Sequence, residues 1–282
     1  MRPPSLAVQM LVHGVLLLAT LVALYPVVWV VDMALSPGNT FASGIVPIPT
    51  HPTLEHFGDV MGHTADDGTW LFARQLVNSL VVSVASALVG LSVATTAAYA
   101  LSRFSFPGRE AGMRAFLVSQ TFPAVVMAIP LYELLAGLHL LDSKLGLVLV
   151  YSATSVPFST WTLKGHFDTI PREIEEAAML DGASRWYTFT RIVLPLARPA
   201  LAVTLLFSFM TAWNEFVLAS TLQSDPRSWT LPVLLQRYVS DYGTQWGAFA
   251  AGSILVSVPV MALFFALQRQ LVGGLAAGAV KG

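Results

Sequence analysis

The sequence is poor in charged residues and contains no cysteine, and both absences narrow the class of protein. Of its 282 residues, 11% are charged and 55% are apolar, whereas soluble domains carry about 25% charged residues. Without cysteine, the chain forms no disulfide bond and has no thiolate for catalysis or metal binding. Its net charge of −1 argues against a basic protein that binds nucleic acid. The composition therefore predicts a membrane protein.

The sequence also lacks a nucleotide-binding loop. A P-loop binds phosphates with a Gly-Lys pair followed by Ser or Thr, and the sequence contains no Gly-Lys dipeptide. We therefore predict that this chain has no catalytic residues and does not hydrolyse ATP itself. If the protein depends on ATP, a partner has to bind the nucleotide.

One short segment has the residue types of a metal site but not the spacing. It contains His51, Glu55, His56, Asp59 and His63. This order matches neither of the zinc-protease patterns H-E-x-x-H and H-x-x-E-H, and Pro52 disturbs a helix at this point. We therefore predict no metal site here and interpret the histidines as exposed loop residues.

Apolar residues are concentrated in six blocks, most of them twenty residues or longer, which is the length that spans ~30 Å of hydrocarbon. The blocks cover roughly residues 8–31, 78–101, 114–137, 145–163, 199–221 and 248–268. The fold predicted from them is all-α, a polytopic membrane protein with six transmembrane helices in a single domain, residues 1–282. Prolines inside the first and third blocks predict kinks, which membrane helices tolerate.

The positions of lysine and arginine predict the orientation. With the N-terminus inside, eleven of the fifteen Lys and Arg residues fall in the cytoplasmic segments. This positive-inside bias predicts that both termini are cytoplasmic. Two long outer loops are then expected at about residues 32–77 and 222–247. The longest charge-rich segment on the cytoplasmic side is at about 165–198.

The residues of this cytoplasmic segment predict two short helices joined by a turn. Pro171 suits the first position of a helix, and the carboxylates that follow it are favoured by the helix dipole. Gly182 is expected to end this helix, because glycine enters the left-handed conformation at little cost. Ser184 suits the N-cap of a second helix, Arg185 to Ile192, and Pro195 is expected to prevent its continuation.

The same segment carries a spaced motif: Glu176-Ala177-Ala178, three residues, Gly182, nine residues, Ile192, one residue and Leu194-Pro195. This spacing resembles the cytoplasmic EAA loop of ABC-importer permeases. Further markers are similar to carbohydrate-type importer permeases, most closely the MalG-like, six-helix subunit of the maltose/trehalose class. These markers are Asn78-Ser79, the run Arg103 to Arg109, Ile170-Pro171, the run Trp213 to Phe216 and the terminal run Gly278 to Gly282.

The resemblance implies a type I ABC-importer permease in the cytoplasmic membrane of a bacterium or archaeon. Its implied partners are a second homologous permease, a dimer of ATPase subunits and an extracytoplasmic sugar-binding protein. ATP and Mg²⁺ would bind in the ATPase, and this chain would bind no cofactor. The residues implied to couple to the ATPase are Glu176, Ala177, Ala178, Asp181, Gly182, Ile192, Leu194 and Pro195. The C-terminal residues Gly278, Val280 and Lys281 are implied to reach the ATPase as well.

Three residues in the fifth apolar block are candidates for the substrate path: Trp213, Asn214 and Glu215. A carboxylate and an amide inside an apolar span are costly and are therefore functional candidates. In the alternative interpretation, Trp213 lies at the membrane interface and the other two hold helices together. We favour packing or gating over direct contact with a sugar.

Two points about function stay open at the level of sequence. The last outer loop, at about residues 223–248, either reaches into the sugar site of the binding protein or packs on the helix ends of this subunit. The expected substrate is a di- or oligosaccharide such as maltose or trehalose. The alternatives are a permease for another solute such as glycerol-phosphate, and a proton-coupled secondary transporter. An anionic solute would favour Arg or Lys in the spans, and a proton relay needs more carboxylates than Glu215.

Overall fold

The computed structural model describes residues 5–39, 47–49, 51–239 and 243–279, with side chains up to residue 268. All regular secondary structure within these ranges is helical, and Thr64 and Trp70 form an isolated antiparallel bridge. The prediction of an all-α fold is therefore confirmed. The apolar composition drives this outcome, because a helix satisfies its own backbone hydrogen bonds in lipid.

The described residues form thirteen α-helices and one π-helix. The longer helices are α1 (Leu6–Leu35), α3 (Leu71–Arg103), α4 (Arg109–Ser119), α5 (Ala124–Gly137), α6 (Lys144–Thr169), α10 (Arg198–Trp213) and α13 (Trp246–Ala279). The shorter ones are α2 (Glu55–Gly62), α7 (Arg172–Leu180), α8 (Arg185–Thr188), the π-helix (Phe189–Val193), α9 (Leu194–Leu196), α11 (Val217–Leu222) and α12 (Leu231–Gln236).

Four of the six predicted apolar blocks each lie within one helix, whereas the block at 114–137 is divided between α4 and α5 and the block at 199–221 between α10 and α11. Three helices of the described chain are long and apolar enough to cross a membrane on their own: α1, α3 and α13 up to Gln268. Two further candidates are bent pairs: α4 with α5, at 103°, and Arg185–Leu196 with α10, at 78°. The block at 145–163 lies in α6, which has 26 residues and contains Pro157. By length and composition the described chain thus has up to five spans, and α6 is a further long helix.

The chain divides into two compact units. The first consists of Met1–Phe72 and Leu234–Val258, and the second of Ala73–Val233 and Pro259–Gly282. In the first unit, α1 is exposed along most of its length, as expected for a helix whose surface faces lipid. Asp32 and Ala34 near its C-terminal end are its buried residues.

His56 in the first unit corrects the prediction that the histidines of this segment are exposed. His51 and His63 are exposed, but His56 is buried. Its Nε2 lies 3.0 Å from the carbonyl oxygens of Ser36 and Gly38. Its ring also packs so closely on Gly247 that a Cβ at this glycine would overlap the imidazole. These carbonyls and the glycine are distant in sequence, so the local pattern gave no sign of this packing. Among the described residues, no group of three or more His, Asp and Glu is placed to hold a metal ion.

Small residues pack the helices of the second unit closely together. A Cβ at Gly90 of α3 would lie 2.5 Å from the Ser155 hydroxyl of α6. Ser152 of α6 donates to the carbonyl of Ser86, and the hydroxyls of Ser159 and Ser208 lie 3.2 Å apart. Small residues and interhelical hydrogen bonds are the usual means of helix association in lipid, where no hydrophobic effect drives it.

Candidate functional site

The first helix of the candidate coupling loop, residues 165–198, forms where the sequence predicts it, with its start one residue after the predicted Pro171. Helix α7 starts at Arg172, with Pro171 as its N-cap, and ends at Leu180. Gly182 follows with a φ of 93°, in the left-handed region that glycine adopts without strain. The Ser184 hydroxyl then accepts a hydrogen bond from the backbone N–H of Tyr187 at 3.2 Å and caps α8. The helix, the glycine turn and the second N-cap are therefore confirmed.

The second half of the loop differs from the predicted helix Arg185 to Ile192. Helix α8 ends at Thr188, a π-helix follows from Phe189 to Val193, and α9 continues through Pro195 to Leu196. The prediction that Pro195 prevents continuation was wrong, because this proline lies in the first turn of α9. A proline is tolerated in a first turn, where its missing N–H has no intrahelical partner to lose.

One side of the loop is open to solvent and carries charged, small and large apolar residues. Glu176, Ala177, Asp181 and Gly182 are exposed, and Ala178 is half-buried. Between and beside these motif residues lie large exposed apolar side chains, Leu180 at 89% exposure, Trp186 at 68% and Tyr187 at 55%. The later motif residues Ile192, Leu194 and Pro195 are half-buried. A small-residue surface edged by exposed aromatic side chains is suited to contact with another protein.

The opposite side of α7 is fixed by a buried ion pair that sequence reasoning missed. The Arg103 guanidinium donates from Nε to Glu175 Oε1 at 2.5 Å, and the two side chains are only 8% and 7% exposed. Tyr99 donates its hydroxyl to the other carboxylate oxygen at 2.8 Å. Removing one partner of a buried ion pair destabilises the folded protein by about 3–5 kcal/mol, because the remaining charge is left uncompensated. The exposed pair between Arg114 and Glu110 is of the kind that contributes ~0–1 kcal/mol.

The same guanidinium also reaches the junction between α6 and α7. Arg103 donates to the carbonyl of Ile170 and to the hydroxyl of Ser102, both at 3.0 Å. In return, Arg172 of α7 donates to the carbonyl of Ser102 at 3.0 Å. The Ser102 hydroxyl donates to Asp168 at 2.6 Å. Three of these hydrogen bonds join the end of α3 to the start of the loop.

Asp168 completes this network at the end of α6. Partial burial acts to raise the pKa of Asp168, but hydrogen bonds from Lys164 and Ser102 outweigh it and hold the pKa below its usual range. Lys164 lies one helical turn earlier and contacts the second carboxylate oxygen at 2.5 Å. The carboxylate is therefore ionised at neutral pH and remains an acceptor for both donors.

Aromatic rings fill the space between the ion pair and α8. The ring centroid of Tyr99 lies 4.5 Å from that of Phe189, and Phe167 and Phe104 meet Tyr99 edge-on at 6.2 Å. The Arg185 guanidinium lies 5.2 Å from the centre of the Phe104 ring. A cleft of about 140 Å³ opens beside these groups.

The three candidates for the substrate path lie at a break between two helices rather than within one span. Helix α10 ends at Trp213, and α11 begins at Val217. Trp213 is fully buried and stacks on Phe209 with centroids 5.4 Å apart. Asn214 is exposed, and its amide donates to the carbonyl of Met210 at 2.9 Å. The interpretation of Trp213 as an interfacial residue was wrong, because its side chain packs in the protein interior.

Glu215 caps the helix that follows the break. Its carboxylate accepts hydrogen bonds from the backbone N–H groups of Leu218 and Ala219, at 2.8 and 2.9 Å. It also accepts the hydroxyl of Tyr151 in α6 at 2.7 Å. A carboxylate at a helix N-terminus satisfies N–H groups that have no partner within the helix. Glu215 also lines a largely apolar cavity of about 780 Å³ formed by α4, α5, α6 and the residues around the break.

The first half of the last outer loop is fastened to α3 and to the turn before α6. The Asn78 amide donates to the carbonyls of Arg227 and Trp229, at 2.9 and 3.0 Å. The carboxylate of Asp142 accepts the backbone N–H groups of Ser224 and Asp225, at 2.6 and 3.0 Å. For this half of the loop, the contacts favour packing on the protein's own helix ends.

Two of the predicted regions extend beyond the described residues. Val280 and Lys281 of the C-terminal tail lie outside them, and Gly278 lies in the last turn of α13. The tip of the outer loop at residues 240–242 also lies outside them.

With this geometry established, comparisons with known proteins identify the family. The family described as "Binding-protein-dependent transport system inner membrane component" matches residues 75–276, which is most of the chain and includes the whole coupling loop. The chain belongs to this family. It is therefore a membrane subunit of an ABC importer, without catalytic residues of its own, and an inner-membrane protein.

Several curated proteins of known systems are similar over nearly their whole length. The diacetylchitobiose uptake system permease DasC of Streptomyces coelicolor is 38% identical over 92% of both chains. The galactooligosaccharide transport permease GanQ of Bacillus subtilis is 37% identical over 96% of both. The maltose/maltodextrin permease MalG of Vibrio parahaemolyticus is 38% identical, covering 92% of this chain and 91% of its own.

The fold agrees with a solved importer. A chain in the crystal structure of a bacterial ABC transporter that imports the acidic polysaccharide alginate superposes with a TM-score of 0.75. The match covers 95% of this chain and 99% of the other, at 23% identity. The predicted ABC-importer permease fold is thereby confirmed.

We predict that Glu215 stabilises the break between α10 and α11. In Glu215→Gln, an NH₂ group replaces one of the two carboxylate oxygens and faces a donor, so the variant should lose about 1–3 kcal/mol of stability. The thermal unfolding midpoint in detergent measures this loss. Asn214→Ala is the matched control and should change the midpoint little, because the Asn214 side chain is exposed. Equal midpoints for Glu215→Gln and the wild type would contradict the capping role.

Proposed function

We propose that this chain is the sugar-translocating permease of an ATP-driven importer and forms half of the pathway. The relatives named above support a sugar substrate, since their names specify diacetylchitobiose, galactooligosaccharides and maltodextrins. All are di- or oligosaccharides, so we propose a substrate of this size, such as maltose or trehalose. Family membership favours ATP-driven import over a proton-coupled mechanism.

The observation that carries the coupling mechanism is the exposed side of the 165–198 loop. In our proposal, Glu176, Ala177, Ala178, Asp181 and Gly182 form the docking surface for the ATPase. The exposure of Leu180 and Trp186 beside them supports this role, because large apolar side chains left open to water are expected at protein contacts. The half-buried residues of the motif would connect this docking surface to α10; they are Ile192, Leu194 and Pro195.

The complex we propose has four kinds of component. This chain pairs with a second, homologous permease, two ATPase subunits bind beneath them, and an extracytoplasmic protein delivers the sugar. The family description names a binding-protein-dependent system. An alginate ABC transporter, solved in complex with its pentasaccharide-bound periplasmic protein, also resembles this chain, with a TM-score of 0.65. ATP and Mg²⁺ bind in the ATPase subunits in this proposal.

Within the membrane domain, we propose that Trp213, Asn214 and Glu215 act by packing or gating. The full burial of Trp213 and the three hydrogen bonds of Glu215 support a structural role at the helix break. The 780 Å³ cavity lined by Glu215 is a candidate for part of the path, because its walls are largely apolar with a few polar groups. We further propose that Gly278, Val280 and Lys281 contact the ATPase.

The docking prediction is tested by two substitutions in the coupling loop. Glu176→Lys reverses a charge on the proposed docking surface, and Gly182→Leu strains a left-handed turn. A loss of about 1.4 kcal/mol in the free energy of docking would lower the affinity of this chain for the ATPase tenfold. Both variants should insert normally, because the loop lies outside the lipid, but they should retain less ATPase on purification and take up less labelled maltodextrin.

The matched control for this experiment is Glu110→Lys. Glu110 is an exposed carboxylate on α4, on the same predicted side of the membrane but outside the motif. This control should retain the ATPase and normal uptake. Normal ATPase retention by both loop variants, at normal membrane levels, would contradict the docking proposal.

The proposed orientation is tested separately with alkaline phosphatase fusions, which are active only outside the cytoplasm. Fusions after Arg109 and Arg185 should be inactive, and fusions after Asp66 and Pro226 should be active, because of the eleven-to-four charge asymmetry. Expression of every fusion is checked by immunoblot. An active fusion at Arg185 would overturn both the orientation and the proposed contact with a cytoplasmic ATPase.

A further inference from the structure

We infer that Arg103 is a positioning residue that ties the coupling helix α7 to the long helix α3, so that the two move as one body during transport. The inference rests on the proposed function, because it assumes that α7 receives motion from an ATPase. It assigns a role to the buried pair formed by Arg103 and Glu175, which lies beside the docking surface but is not part of it.

The Arg103 guanidinium joins α3 both to α7 and to the residues between α6 and α7. Arg103 ends α3, and it donates to Glu175 within α7 and to the carbonyl of Ile170 between α6 and α7. A guanidinium holds its donors in a rigid planar fork, so several bonds made at once fix direction as well as distance. Helix α7 therefore cannot rotate or slide along α3 without breaking these bonds.

Two further side chains, besides that of Arg103, form hydrogen bonds between α3 and α7. Tyr99, one turn before Arg103 in α3, holds the other oxygen of Glu175. Arg172, the first residue of α7, donates back to the carbonyl of Ser102 in α3. Bonds thus run in both directions between the two helices. A pair that only neutralised a buried charge would not need donors from both elements.

Two neighbouring carboxylates of α7 differ in their exposure. Glu175 is buried against α3, whereas Glu176 is exposed on the side proposed to dock. Consecutive residues of α7 therefore face α3 and the open surface. Since α3 has 33 residues and is apolar enough to span the membrane, motion passed to it at Arg103 would be carried into the membrane domain.

The test measures the distance between α3 and α7 directly. Because the chain has no native cysteine, spin labels can be attached at Leu88→Cys in α3 and Glu173→Cys in α7, both exposed positions. The labelled chain is purified in its complete complex, without nucleotide and with Mg-ATP and vanadate. Pulsed electron resonance then gives the distance distribution in each state.

In the otherwise wild-type complex we expect one narrow distribution that vanadate trapping does not change. In Glu175→Gln and Arg103→Gln the distribution should broaden or shift on trapping by on the order of 5 Å, about one helical turn. Transport of labelled maltodextrin per ATP hydrolysed should fall about tenfold. Arg114→Gln, which removes an exposed arginine from its pair with Glu110, is the matched control and should behave as wild type.

The double variant Arg103→Gln/Glu175→Gln is the control for misfolding, because it removes the ion pair without leaving an uncompensated buried charge. It should assemble normally and still show the broadened distribution. The inference is overturned if the double variant keeps the narrow distribution, or if the wild-type distance changes on trapping while the ATPase remains bound. If no ATPase co-purifies with the wild-type chain, the proposed function fails, and this inference fails with it.

Discussion

Polar groups that are buried in this protein, in its helices or at the helix ends, are stabilised by hydrogen-bond partners within the protein, because an unpaired buried donor or acceptor is costly. Three buried or half-buried polar side chains show how this requirement is met. The Asn78 amide donates hydrogen bonds to two carbonyls of the outer loop. The Glu215 carboxylate accepts a hydrogen bond from the Tyr151 hydroxyl, and Arg103 forms an ion pair with Glu175. In each case the partner lies at least 60 residues away in sequence. The polar residues of an apolar chain thus decide how its helices are connected.

On one side of the candidate coupling loop, buried polar groups have partners in α3. The other side is exposed to solvent. On the side of α3, Glu175 is paired with Arg103 and Asp168 with Lys164, and aromatic rings pack beside the first pair. The other side carries a short motif with small residues and a few large apolar side chains exposed to solvent. A fixed inner side and an open outer side are what a helix needs if it is to transmit force from one protein to another.

Local patterns were sufficient to predict the helical fold, the glycine turn and the cap at Ser184, because these depend on residues near in sequence. They were insufficient wherever a distant partner decides the outcome. Glu175 looked like one of several helix-start carboxylates, and only the position of Arg103 reveals its burial. His56 likewise depends on carbonyls at residues 36 and 38 and on Gly247. Hydropathy could not locate the break after Trp213, because the residues on both sides are apolar.

The central claim is that the 165–198 loop contacts an ATPase, and site-specific photo-cross-linking tests it most directly. A photoreactive amino acid at Leu180, which is 89% exposed in the loop, is compared with the same amino acid at Leu54, which is 70% exposed in a segment predicted to lie on the outer side. After illumination of intact membranes, the account predicts a cross-link to the ATPase subunit from Leu180 and none from Leu54. Absence of the Leu180 cross-link, in a complex that still contains the ATPase, would contradict it.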